Sequence, residues 1–273
     1  MVGDAPAALS RDPNTLWRKL RIAILLLILA IAVYSNWYDK FSTTDWDETL
    51  WIGVFPINAN DGAAGERYVS VLTTQDLADI ESFINNEARR YGITLDRPVR
   101  VDLYPPVTEM PPEHDANGNV FSTMWWSLKM RMYARRNSHP PGRAPPQIRV
   151  FVLYHDPSFS QSVPHSVGLQ KGLVGVVHAF AERSATRANN VVIAHEILHT
   201  LGATDKYDLA SLAPLYPIGY AQPDRQPLYP QSLTEIMAGR YAVDAHTFEM
   251  PASLSEVRVG EATALEIRWM KPK

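Results

Sequence analysis

Cysteine is absent from the 273 residues of this chain. This absence excludes disulfide bonds, thiolate metal sites and thiol nucleophiles together. Histidine and carboxylate side chains remain as the strong ligands for a transition metal. Any transition-metal site in this protein must therefore be built from nitrogen and oxygen atoms.

The chain also lacks an excess of basic residues. Lysine and arginine total 26 and aspartate and glutamate total 29, which gives a net charge of −3. Binding to a phosphate backbone needs a basic surface, so we expect no nucleic-acid partner. Because 46% of the residues are hydrophobic and 20% are charged, the composition also excludes a disordered or fibrous chain.

Charge is missing from one long run near the N-terminus. Residues 22–34 are uncharged and almost entirely apolar, with three basic residues shortly before them and the aromatic pair Trp37 and Tyr38 after them. The stretch 20–37 has 18 residues, at the short end of the roughly 17 to 25 that span a bilayer. Interfacial aromatics and preceding basic residues predict an N-terminal transmembrane helix with a cytoplasmic N-terminus and an exported remainder.

This interpretation divides the chain into four parts. They are a cytoplasmic tail (1–19), a transmembrane signal anchor (20–38), a juxtamembrane linker (39–49) and an exported domain (50–273). The alternative is a cleaved signal peptide, because Ala30 and Ala32 form a small-x-small site after the apolar core. The domain would then be secreted.

In the exported part, apolar runs with strand character alternate with segments of helical spacing. The predicted strands are 50–57, 99–104, 148–154 and 173–180, and the predicted helices are 74–91, 120–136, 190–201 and 253–269. This alternation predicts one α/β (α+β) domain with a mixed sheet and backing helices. The stretch 214–230, rich in proline and tyrosine, predicts an irregular C-terminal subdomain before the terminal helix.

The residues from His195 to His199 form an HExxH motif inside the predicted helix 190–201. Residues i and i+4 lie above one another on a helix, so the two imidazoles can converge on one cation while Glu196 reaches a water on it. Hydrolysis assisted by a metal needs two such ligands, a third from elsewhere, an open position for water and a carboxylate that takes its proton. The other histidines, including His155, His165 and His178, lack ligand spacing, and we interpret them as surface or hydrogen-bonded residues.

Gly202 follows the motif at the predicted end of the helix. A glycine can adopt a positive φ, which turns the chain back so that the residue three positions later points at the same cation. Asp205 stands at that position and is the predicted third ligand. Asp208 is the nearest substitute, and His246 is a fallback.

The stretch from His195 to Asp205 resembles the extended HExxHxxGxxH signature of the metzincin metallopeptidases, with aspartate in place of the third histidine. Continued to Asp208, it is similar to the zinc sites of the immune inhibitor A group and of the snapalysins. The resemblance implies a metzincin-like fold, Zn²⁺ held by His195, His199 and Asp205, and Glu196 as the general base. Recognisable motifs are confined to residues 195–208 and the region of Met237.

The resemblance also implies a methionine turn downstream of the third ligand. Residues 235–239 are the candidate, and Met237 would form an apolar floor under the histidines. Gly239 stands where the family often has a tyrosine, so the tyrosine that would stabilise the oxyanion is left open. The unranked candidates are Tyr207, Tyr216, Tyr220, Tyr229 and Tyr241. A peptide substrate would pair antiparallel with an edge strand within 166–177.

The sequence therefore predicts a membrane-anchored zinc metalloendopeptidase that acts on peptides or proteins. One alternative keeps the motif but takes Glu235 as the third ligand, as in the thermolysin-like arrangement. A second alternative is an exported metal-binding or assembly module without proteolytic activity, and a third is a small-molecule amidase.

Overall fold

The structure, a computed structural model, describes residues 17–27, 44–60, 62–113, 119–159, 162–170 and 172–271. The chain divides into two compact units, Met1–Asp39 and Lys40–Lys273. In the first unit, residues 17–27 are helical. The rest of the predicted tail and anchor lies outside the described residues, and the predicted linker is described from position 44. No helix within the described ranges is long and apolar enough to cross a membrane.

Five strands form a mixed sheet in the second unit. They are β1 (Leu50–Asn58), β2 (Val99–Leu103), β3 (Ile148–His155), β4 (Val167–Leu169) and β5 (Val174–Phe180). Their order is β2-β1-β3-β5-β4, and all neighbours are parallel except β4, which pairs antiparallel with β5 at the edge. The predicted α/β fold with a mixed sheet is confirmed.

The α-helices of this unit connect and cover the strands. They are α1 (Ala63–Ser70), α2 (Ala78–Arg90), α3 (Val120–Asn137), α4 (Thr186–Thr200) and α5 (Glu261–Glu266). Helix α1 was not predicted from the sequence. Helix α3 begins at Asn119, whose side-chain oxygen accepts hydrogen bonds from two backbone N–H groups of the first turn, as an N-cap does.

The sheet separates two hydrophobic cores, because successive residues of a strand point to opposite faces. On one face, Val150 and Val152 of β3 join the core that contains residues of α2 and α4. On the other face, Phe151 and Leu153 join the core that contains residues of α3. Helices α3 and α4 therefore lie on opposite faces of the sheet.

The C-terminal part is irregular, as predicted. Residues 214–230, all of which the structure describes, contain neither helix nor strand. Four two-residue strands follow: β6 (Thr234–Glu235), β7 (Tyr241–Ala242), β8 (Phe248–Glu249) and β9 (Val257–Arg258).

The predicted continuous helix over 253–269 is wrong. A 3₁₀ turn (Leu254–Glu256) leads into β9, which pairs with β6, and helix only forms in α5. Gly260 is extended at the start of α5, and its N–H donates to the Glu235 carboxylate at 3.0 Å. Tertiary pairing with a buried carboxylate thus overrides the helical spacing of the sequence.

Candidate metal centre

Helix α4 carries the HExxH motif and is anchored at its start by two asparagines. Asn189 exchanges hydrogen bonds with the backbone N–H and carbonyl of Phe180 at the end of β5. Asn190 donates to the carbonyl of Asp76. Val191, Ile193, Ala194, Ile197 and Leu198 bury most of the helix surface in the core. These contacts fix the position of the helix that carries His195 and His199.

The helix ends in a Schellman motif, which Gly202 makes possible. Gly202 has φ +104°, its N–H donates to the carbonyl of His199 at 3.0 Å, and the N–H of Ala203 donates to the carbonyl of Leu198 at 3.0 Å. These two bonds satisfy carbonyls that the helix end would otherwise leave free. The predicted turn at Gly202 brings Asp205 back towards the histidines.

Three ligand atoms converge beside this turn. Nε2 of His199 lies 3.0 Å from Nε2 of His195 and 3.1 Å from Oδ1 of Asp205. Nε2 of His195 lies 3.3 Å from the same carboxylate oxygen. His195, His199 and Asp205 form the one group of three within the described residues whose geometry could hold a metal ion.

The other nitrogen of each imidazole fixes its tautomer. Nδ1 of His195 donates to the carbonyl of Ile236 at 2.9 Å, and Nδ1 of His199 donates to the carbonyl of Ala203 at 2.8 Å. Because a carbonyl can only accept, each Nδ1 carries a hydrogen, and each Nε2 presents a lone pair when its ring is neutral. Backbone support of this kind is typical of histidines that bind metals.

The charges of the group reinforce one another. Burial lowers the pKa of His195, but the hydrogen bond to Asp205 and the charge of Glu196 outweigh it and raise that pKa above its usual value. Burial raises the pKa of Asp205, but hydrogen bonds from both histidines hold it well below its usual range. The site therefore favours an ionised carboxylate with a positive charge beside it.

Glu196 is buried next to this group, with 5% of its surface exposed. Burial raises the pKa of its carboxyl group. Its Oε2 has no hydrogen-bond partner within the described residues. Since a buried polar atom without a partner is costly, this oxygen marks a place where a polar molecule fits.

Gly168 of β4 allows this edge strand to approach the part of α4 that carries His199 and Glu196. A Cβ atom at this position would lie 2.5 Å from Cβ of His199, 2.7 Å from the carbonyl oxygen of Glu196 and 3.0 Å from its Oε2. Any larger residue would push strand and helix apart. The predicted edge strand within 166–177 corresponds to β4, together with part of the interior strand β5.

A tight turn at Ile236–Ala238 supports the site from the other side. Met237 is fully buried in the core, and its carbonyl accepts from the N–H of Lys206 at 2.9 Å. The neighbouring carbonyl of Ile236 holds His195. The turn therefore contacts both His195 and the segment that carries Asp205.

Glu235 shapes this turn and does not join the ligand group. One carboxylate oxygen accepts from the N–H groups of Met237 and Ala238, and the other accepts from Gly260 and from the hydroxyl of Thr263. Asp208 caps a turn at residues 210–211, and His246 lies between β7 and β8. None of the three alternative ligands belongs to the described His-His-Asp group.

Glu266 of α5 holds the residues on both sides of Asp205. Its carboxylate accepts from the N–H and hydroxyl of Thr204 at 2.9 and 2.7 Å, and from Nζ of Lys206 at 2.7 Å. Lys206 is almost fully buried. No spacing in the sequence marks Glu266, since the ion pair joins residues 60 positions apart.

A cavity of about 310 Å³ opens beside His195. Its lining includes Glu196, Tyr207, His178 and Arg240. Burial, and the charges of Asp205 and Glu196, raise the pKa of Tyr207. Of the five tyrosine candidates, Tyr207 lines this cavity. Tyr216, Tyr220 and Tyr229 form an aromatic cluster, and Tyr241 donates to Glu249.

His178, interpreted from the sequence as a surface or hydrogen-bonded residue, lines the cavity, which the sequence did not predict. Burial, with the neighbouring His155, lowers its pKa to about 4, so its ring is neutral near pH 7. Nδ1 of His178 lies 2.8 Å from Nε2 of His155. Only the alternation of β5 residues could have indicated which side of the sheet it faces.

Fold and site together describe a mixed α/β domain with a His-His-Asp group on one helix and the turn that follows it. Comparison with protein-family models finds no match to this chain, and neither does comparison with curated proteins.

Proposed function

We propose that this protein is a zinc-dependent metallopeptidase with a metzincin-like fold, tethered to a membrane by its N-terminal segment. One observation carries the proposal. The Nε2 atoms of His195 and His199 and a carboxylate oxygen of Asp205 lie 3.0 to 3.3 Å apart, and both Nδ1–H groups are committed to backbone carbonyls. When both imidazoles are neutral, the three atoms that face one another are all acceptors, and a cation between them would satisfy all three.

The donor set fits zinc. Two imidazoles and one carboxylate are a known set of catalytic zinc ligands and leave a position open for water. Zinc bound there would supply the Lewis acidity that makes water a nucleophile near neutral pH. Metal identity is part of the proposal, because the same ligands also suit other divalent ions.

Glu196 would act as the general base and then as the general acid. Its raised pKa, caused by burial, suits a group that takes a proton from water and returns it to the leaving amine. Its unpartnered Oε2 supports a place for that water. Tyr207, which lines the same cavity, would donate a hydrogen bond to the oxyanion.

The substrate would be an extended peptide. Of the two edge strands of the sheet in the described residues, β2 and β4, it is β4 that packs against the motif, through Gly168. A peptide that adds to this edge through backbone hydrogen bonds would run past His195 and Glu196. Recognition of this kind depends on the backbone and requires a peptide or unfolded segment.

Removal of single ligands tests the proposal. We expect the full-length protein to retain about one zinc per chain after dialysis, measured by elemental analysis, and Asp205→Ala to lose it. Asp208→Ala, three residues away on an exposed turn, should keep it. Zinc retained by Asp205→Ala would contradict the ligand assignment.

Removal of the base tests catalysis separately. Glu196→Gln should keep zinc but lose at least 100-fold in cleavage of a peptide library, since general-base catalysis contributes about 10²- to 10⁴-fold. If the unchanged protein binds zinc but cleaves no better than Glu196→Gln, the peptidase hypothesis is wrong. The hypothesis of a metal-binding or assembly module is then favoured.

A further inference from the structure

Helix α3 exposes a row of large hydrophobic side chains. Their exposed fractions range from 46% to 80%, and they are Phe121, Met124, Trp125, Leu128 and Met132. The positions follow the spacing i, i+3, i+4, i+7 and i+11. Because soluble proteins rarely leave such a contiguous patch uncovered, it indicates an interaction surface. We call these five residues the α3 ridge.

The α3 ridge occupies one side of the helix only. With about 100° between successive residues, its five members fall within an arc of about 100° and extend for about 16 Å. The opposite side carries the buried residues Trp126, Met130, Tyr133 and Ala134, which pack on the sheet. The ridge is therefore not needed to hold α3 in the fold.

Cations flank the α3 ridge on both sides. On the same helical projection, Lys129 and Arg136 lie on one side, Arg131 lies on the other, and Arg135 lies at the C-terminal end. Residues 120–137 contain no aspartate or glutamate, although the whole chain carries −3. Arg136 pairs with Glu109, whereas the other three have no carboxylate partner in the described ranges. Nζ of Lys129 lies over the ring of Trp125.

We propose that the α3 ridge binds the surface of a lipid bilayer that contains anionic lipids. An apolar strip with tryptophan and phenylalanine, bordered by lysine and arginine, matches the boundary between acyl chains and headgroups. The long basic side chains can reach the headgroups while the strip enters the acyl boundary. This surface is separate from the metal centre and does not depend on its chemistry.

A second copy of the chain fits this surface less well. Two ridges packed face to face would bring the flanking cations of both helices together, which is repulsive. Anionic headgroups provide the opposite charge on both sides of the strip. Charge complementarity therefore favours the bilayer.

The orientation has a consequence for the proposed peptidase. Helices α3 and α4 lie on opposite faces of the sheet. With α3 on the bilayer, α4 and its histidines lie on the face of the sheet that is turned away from the lipid. Substrates would then reach the centre from the aqueous side.

The absence of cysteine allows a clean test on the full chain. Leu128→Cys places an environment-sensitive fluorophore on the ridge, and Val71→Cys places it at a similarly exposed apolar position after α1. Both proteins are reconstituted in vesicles with and without anionic lipid, with quenchers either in the acyl region or in water. Unchanged thermal unfolding shows that both variants are folded.

In anionic vesicles, we expect the lipid quencher to act several-fold more strongly on the label at 128 than on the label at 71. Equal access of both labels to the aqueous quencher would overturn the proposal. Protection of position 128 that grows with protein density but shows no lipid quenching would also overturn it, in favour of a second copy.

Charge removal tests the electrostatic part. The double variant Lys129→Gln with Arg135→Gln should lower the ratio of protein with the α3 ridge embedded in the bilayer to protein with the ridge in water. The expected decrease is about 30-fold, or about fivefold for each charge removed. Arg67→Gln with Arg89→Gln makes the same change in net charge on α1 and α2 and should have no such effect. An equal effect of the two pairs, or equal embedding without anionic lipid, would contradict the proposal.

Discussion

The two nitrogens of each histidine have different roles at the centre. Nδ1 of His195 and of His199 donates to a carbonyl, and the two Nε2 atoms face each other and Asp205. The backbone therefore holds the two rings and the carboxylate in a position that a positive charge stabilises, either a metal ion or a proton on Nε2. The two carbonyls, of Ile236 and Ala203, are as much a part of the centre as the side chains.

The position of the Ala203 carbonyl, which accepts from His199, depends on the backbone conformation of Gly202. With φ +104°, an alanine here is strained, and we expect Gly202→Ala to lose about 1–2 kcal/mol of stability. It should also bind zinc more weakly, because Ala203 would no longer hold His199. Denaturant unfolding and zinc titration measure the two effects.

Gly92→Ala is the matched control for this prediction. Gly92 has φ +87° and nothing lies within 4 Å of a Cβ atom there. It should therefore show the loss of stability alone. Equal zinc affinity of the two variants would contradict the role assigned to Gly202.

At the scale of the element, the site depends on how closely β4 approaches α4. Strand β4 is only three residues long and pairs with β5 on one side. It meets the helix at Gly168, beside the backbone of Glu196. The same contact places the edge where a peptide could add next to the proposed base.

We therefore expect Gly168→Ala to lower peptide cleavage more strongly than it lowers the stability of the fold. The new methyl group would meet the carbonyl oxygen of Glu196 at 2.7 Å, and overpacking of this kind costs about 1–3 kcal/mol. We expect a loss of peptide cleavage of at least tenfold, measured as kcat/KM. Gly175→Ala on β5, whose added Cβ would make only ordinary contacts of 3.6 Å or more, should keep near-normal activity.

At the scale of the whole molecule, the last helix locks the loop that carries Asp205. Glu266 joins Thr204 and Lys206, and its side chain is 30% exposed. Burial raises the pKa of Glu266, but Lys206 and Thr204 outweigh it and lower that pKa below 4.5. A lowered folded pKa means that this carboxylate stabilises the protein above pH about 4.5 and that the contribution is lost as pH falls through the folded value.

Glu266→Gln should thus be less stable at pH 7 by about 1–2 kcal/mol, the cost of charged hydrogen bonds discounted for partial exposure. The difference from the unchanged protein should shrink below pH 4.5. Urea unfolding at pH 7 and at pH 3.5 measures it. A constant difference across this range would show that the carboxylate charge is not the cause.

The sequence could predict the parts of the protein that local patterns control. The parallel strands are nearly continuous apolar runs because both of their faces are covered, and the HExxH spacing puts His195 and His199 on one side of a helix in any context. Gly202 could be recognised as the end of that helix, since positive φ is a local property. Asp205 could be proposed as a ligand because it lies only three positions after Gly202.

Long-range contacts decided the rest. The helical spacing over 253–269 was overridden by β9 pairing with β6 and by Gly260 binding to Glu235. The buried carboxylate of Glu235 was a candidate ligand by residue type. Both of its oxygens instead accept hydrogen bonds, from four donors in all. Neither outcome follows from spacing, because Gly260 and Thr263 lie more than 20 positions from Glu235, and β9 lies more than 20 positions from β6.

The sequence by itself determined which chemistry is available: nitrogen and oxygen ligands, a helix that pairs two histidines, and a glycine that returns the chain to them. Only the tertiary structure decided which carboxylates remain free for that chemistry, which tyrosine lines the cavity and which side of α3 is left uncovered. The physical reason is that propensity and spacing are local properties of the chain. Burial and the pairing of polar groups depend on contacts between distant segments that folding brings together.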